Sequence, residues 1–138
     1  MKLESQKQTI NRSKEDVFEF LSDPKNFEQL MPENVAKFEP NANGGFTFAL
    51  SGMPEISLRK RESVPYDKIV LGADGGKLDF DLTANLTEIG ENETDVQLVF
   101  SGEFNAMIGM MVKGPISKFI ETLVGNLQKA INTKDSQI

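Results

Sequence analysis

The closing segment constrains this chain most. From about Asn105 to Asn132 the sequence reads NAMIGMMVKGPISKFIETLVGNLQKAIN, one long apolar-periodic stretch rich in methionine, and it follows a middle section that alternates with a period of two. Strands first and a long helix last imply an α+β domain, the helix covering one face of an antiparallel sheet. That layout can leave room between helix and sheet. The sequence therefore points to a pocket without naming its occupant.

The alternation is plain in several places. Phe46, Phe48 and Leu50 alternate with Thr47, Ala49 and Ser51, and Ile56 and Leu58 alternate with Ser57, Arg59 and Arg61. Leu78, Phe80, Leu82, Ala84 and Leu86 interleave with Asp79, Asp81, Thr83, Asn85 and Thr87, and Val96, Leu98 and Phe100 form the last such run. Further strands are expected at Lys2–Ile10, Val35–Glu39 and Lys68–Ala73, the first of them paired on both sides or wrapped along an edge. Turns are expected at Asn41 to Gly45, at Met53-Pro54, at Gly75-Gly76 and at Gly90 to Glu93. Ahead of the sheet, Ser13 with Asp16 three residues later marks a helix start, and Val17, Phe18 and Leu21 share a helical face. Pro24 ends that helix and suits the first turn of a second one, carrying Phe27, Leu30 and Met31 up to Pro32.

Composition narrows the function. With 138 residues the chain has the size of one domain, and residues 1–138 are expected to fold as one unit with its own core. A net charge of −6 repels a phosphate backbone, so nucleic acid is not an expected partner. There is no cysteine, which excludes disulfides and thiolate metal sites, and no histidine, which removes the usual general base. No cofactor or metal is expected, and the inventory leans away from an enzyme. The N-terminus lacks the apolar core of a secretory signal and no run reaches the length of a membrane span, so a cytoplasmic protein without membrane insertion is expected.

The order strand, two short helices, a meander of strands and a long closing helix resembles the START/Bet v 1-like helix-grip superfamily, also called SRPBCC, with its bacterial polyketide cyclase/dehydrase-like members. The matching stretches are SKEDVFEFLSDPKNFEQLMP, FTFALSG, LDFDLTANL and MVKGPISKFIETLVGNL. The resemblance implies a curved antiparallel sheet of about seven strands gripping the C-terminal helix around a hydrophobic cavity. It implies binding or transport of a small hydrophobic or amphipathic ligand, lipid-like, aromatic or polyketide-like. It also leaves open a cyclase/dehydrase-type enzyme, and a protein-interaction module such as a chaperone activator or enzyme-assembly factor. A filled core with an exposed apolar patch would favour the module.

The expected cavity lining is Phe46, Phe48, Leu58, Phe80, Leu82, Phe100, Met107, Met111 and Phe119, with Lys60 on the same side by parity with Ile56 and Leu58. An inward ammonium must reach the rim or meet an anionic ligand. Asp79 and Asp81 share the opposite face, where pairing with Arg59 or Arg61 is a better use of them than catalysis. In the closing helix Ile116, Phe119, Ile120, Leu123, Leu127 and Ile131 form one stripe. Phe104, Met107, Ile108 and Met111 centre roughly 100° away. One straight helix cannot bury both, so a kink or break is expected at Gly114-Pro115, with the methionines forming an adjustable entrance.

Overall fold

A computed structural model describes residues 1–52, 55–75 and 79–135; Met53, Pro54, Gly76 and Leu78 lie outside the described residues. Strands β1 (Lys2–Glu4) and β2 (Gln8–Ile10) come first, then helix α1 (Lys14–Ser22) and a 3₁₀ helix, Pro24–Leu30. The meander follows: β3 (Val35–Pro40), β4 (Phe46–Leu50), β5 (Ile56–Val64), β6 (Lys68–Ala73), β7 (Phe80–Gly90) and β8 (Glu93–Gly102). Two helices close the chain, α2 (Ala106–Gly125) and α3 (Leu127–Asp135).

The strands form one antiparallel sheet in the order β1-β8-β7-β6-β5-β4-β3, with β2 also on β8. This is the helix-grip architecture. The expected first strand is two short ones on the same edge, interrupted at Ser5–Lys7. Buried Ser5 fills the gap: its amide reaches the Leu98 carbonyl at 2.8 Å and its Oγ accepts from the Leu98 amide at 2.9 Å. The break frees the amide of Gln6 to donate to Glu121 Oε1 at 2.6 Å, which ties the edge to α2. Nearby, the Asn11 amide donates to Gln128 Oε1 at 2.7 Å.

The helix signals behave as chemistry requires. Ser13 Oγ accepts from the Asp16 amide at 3.1 Å, Asp23 Oδ1 from the Lys25 amide at 3.0 Å, and Asn105 Oδ1 from the Ile108 amide at 2.9 Å. Each satisfies an amide that a helix start leaves unbonded.

The break expected at Gly114-Pro115 is not there. Helix α2 continues through Pro115 and ends at Gly125, and the interruption falls at Asn126, whose Nδ2 donates to the Leu30 carbonyl at 3.0 Å. Gly114 and Pro115 are exposed, and the carbonyl that Pro115 cannot bond belongs to exposed Met111, so water can take it. The core lies between the sheet's inner face and α1, the 3₁₀ helix, the second half of α2 and α3. Ile10, Val17, Leu30, Phe46, Leu58, Ile69, Val96, Ile120, Leu123 and Leu127 are its most deeply buried apolar members.

Candidate functional site

The space between sheet and helix is where a ligand would sit, and side chains occupy it. Phe46 is fully buried and stacks on Phe27 at a ring separation of 4.8 Å and on Phe38 at 5.1 Å. Phe48 lies tilted against Phe46 at 5.7 Å and parallel to Phe119 of α2 at 5.1 Å. Toward the start of α2, Phe100 packs against Phe80 at 5.2 Å and Phe104 at 5.9 Å. Beneath the centre of the sheet a void of about 10 Å³ remains, lined by Phe27, Ile69, Leu71, Leu82, Ala84 and Leu98. That is about the room one water needs, and its walls offer a water no polar partner.

Of the expected lining residues, Phe46, Phe48, Leu58, Leu82 and Phe100 are buried and Phe80 and Phe119 half-buried, but only Leu82 borders the void. Lys60 does turn inward, and its Nζ donates to the Ser22 carbonyl at 3.4 Å. A cation there meets the negative end of α1, a helix-terminal partner that the strand pattern alone could not reveal.

Met107 and Met111 are a correction. They are 74% and 70% exposed, and Met110 between them is 83% exposed. The inward side of this part of α2 is Ile108, Val112 and Ile116, all half-buried, continuing the phase of Phe119, Ile120 and Leu123. One helix therefore buries one stripe and leaves the methionines in solvent. Ile108, Val112 and Ile116 have the four-residue spacing of a helix face, but the methionines beside them are as apolar, so the sequence does not separate the two faces.

On the outer face an open depression of about 750 Å³ is lined by Lys2, Arg61, Asp79, Asp81, Ser101 and Glu103, among others. Arg61 is held there by Asp81 at 2.7 Å and Asp79 at 3.0 Å, and those hydrogen bonds and charges, that to Asp79 foremost, hold its guanidinium above the ordinary arginine value. The pairing expected of the two aspartates thus falls to Arg61. With both aspartates on it, this arginine is not available to an anion.

The interior has little to offer acid–base chemistry. Among the described residues the buried polar side chains are Ser5, Asn26, Thr47 and Thr94. Asn26 Nδ2 donates to the Phe20 carbonyl at 2.8 Å, Thr94 Oγ1 to the Arg12 carbonyl at 2.9 Å, and Thr47 shares a hydrogen bond with Ser57 at 2.8 Å. No group of three or more metal-ligating side chains comes together among the described residues, and none of their helices is long and apolar enough to cross a membrane.

An antiparallel sheet gripping a long C-terminal helix, with short helices after the first edge strands, defines a helix-grip fold of the START/Bet v 1 type. Residues 11–128 match the family described as activator of Hsp90 ATPase homolog 1-like protein, and this chain belongs to that family. Solved structures agree on the fold. Norcoclaurine synthase from Thalictrum flavum is similar over 98% of this chain and 96% of its own, at 12% identity and a TM-score of 0.75. A START superfamily protein from Mycobacterium smegmatis covers 96% and 97% at 14% identity and 0.73. A conserved protein from Geobacillus kaustophilus covers 96% of both chains at 19% identity and 0.69. No curated protein matches the sequence.

Proposed function

We propose that this protein works in the cytoplasm as a protein-interaction module of the chaperone-activator type, making its contact through the methionine face of α2. The observation that carries this reading is the combination of an interior filled by phenylalanines with an apolar face turned to solvent. Clustered exposed apolar side chains are a mark of partner surfaces, and methionine adapts to varied ones. The family's description, which names an activator of a chaperone ATPase, supports the same reading. A photo-crosslinking residue placed at Met110 in the protein's own cells tests it, with exposed Glu91 in the β7–β8 turn as control. A discrete protein adduct at position 110 and none at 91 is expected. Equal or absent adducts at the two positions would sink the reading.

A second reading is binding or transport of a small hydrophobic or amphipathic molecule. It draws support from the fold type and from the wholly apolar walls of the void beneath the sheet. Here ring pairs such as Phe48–Phe119 would have to part to admit a ligand. Native mass spectrometry of protein taken from its own cells separates the two readings, since a carrier retains a stoichiometric small molecule. A cyclase/dehydrase activity has less to draw on, because the buried polar groups are already bonded within the fold.

A further inference from the structure

We propose that the partner presents an acidic amphipathic segment, its apolar side chains seated on Met107, Met110 and Met111 and its carboxylates reaching Lys113 and Lys118. This rests on the reading of α2 as a contact face. The chain has 21 acidic residues and a net charge of −6, yet between Glu103 and Glu121 there is no Asp or Glu at all. Lys113 and Lys118 are the only charged residues of that stretch. Both are exposed, and neither has an ion-pair partner among the described residues. Some other lysines are paired, Lys14 with Glu88 at 2.8 Å and Lys37 with Glu55 at 3.0 Å, so what sets this face apart is the lack of any acidic residue beside its two cations. At 100° per residue Lys118 falls on the same side of the helix as the three methionines, and Lys113 borders it. An adaptable apolar patch edged by uncommitted cations, on an otherwise acidic molecule, is complementary to acidic and apolar side chains together.

Two other occupants fit less well. A bilayer surface calls for clusters of about 4–8 Lys or Arg and for aromatic anchors, whereas this face has two lysines and no exposed aromatic ring. A second copy related by a two-fold axis would set the same patch against itself, and between Glu103 and Glu121 that patch offers no carboxylate to meet its lysines.

The test uses the full chain, isotopically labelled, and two synthetic helical peptides that share a Leu/Phe face but carry Glu or Lys on the polar face. The acidic peptide should shift the amide resonances of residues 106–118 and bind at least about tenfold tighter than its lysine counterpart at low salt, the advantage shrinking as salt rises. Lys113→Glu with Lys118→Glu should reverse the preference, and Met107→Ser, Met110→Ser and Met111→Ser together should weaken both peptides. Should the triple variant fold poorly, the lysine pair alone decides the matter. Equal binding of the two peptides, no binding, tighter binding to phosphatidylglycerol vesicles, or dimerisation through this face each overturns the proposal. An adduct at position 110 without a preference for the acidic peptide refutes only the partner's chemistry; absence of the adduct refutes the contact face as well.

Discussion

At the scale of single residues, close approach decides the most. Gly45 sits where a Cβ would run into the Leu58 carbonyl, and Gly72 where it would strike the Arg61 guanidinium. Gly45→Ala should therefore cost about 1–3 kcal/mol or more, read from the urea midpoint. Gly125 is the opposite case, exposed in a helix with no atom near the position of a Cβ. Gly125→Ala should stabilise by about 0.5–1 kcal/mol. Lys14 offers a titration. Its hydrogen bond to Glu88, aided by the carboxylate's charge, holds the ammonium above the ordinary 10.5. With the folded value raised above the unfolded one, the contribution to stability is complete below 10.5 and fades as pH rises through the raised value. Glu88→Gln should move the Lys14 titration to lower pH by NMR; an unmoved curve would mean that the pair does not persist in solution.

At the scale of elements, the helix junction and the ring stacks carry the packing. Asn126→Ala removes the bond to the Leu30 carbonyl and should cost about 1 kcal/mol, with faster amide exchange across α3. Phe48→Ala should cost about 3–5 kcal/mol by emptying the stack between Phe46 and Phe119. Met110→Ser should change stability by less than about 0.5 kcal/mol, since the side chain stands in solvent. The strands could be read from the chain because a period of two reports one buried face directly, as Leu82, Ala84 and Leu86 show. The direction of Lys60 followed from the same rule. The methionines could not be placed that way. In Ala106–Ile116 nearly every position is apolar, so hydrophobicity does not distinguish the faces, and only contact with the sheet selects Ile108, Val112 and Ile116. The filling of the interior was equally hidden. It depends on rings from the 3₁₀ helix, β3, β4 and α2 matching one another in volume, and no local pattern encodes such a fit.

At the scale of the whole molecule, the sheet and its closing helices are joined unevenly. The hydrogen bonds that fasten the helices to the N-terminal edge of the sheet and to the 3₁₀ helix, accepted by Glu121 and Gln128 and donated by Asn126, all lie past the midpoint of α2. Ahead of them, residues 106–119 rest on the sheet by partial burial of one face alone. Local opening follows such differences, so amides of 106–116 should exchange well before those of 120–131 in a native-state hydrogen-exchange series. A uniform rate along the helix would show that the two halves open together. The loosely held half is also the half that carries the methionines. A load applied there would peel residues 106–116 from the sheet before any of it reached the clamp at Glu121, so a contact on this face disturbs the rest of the fold little.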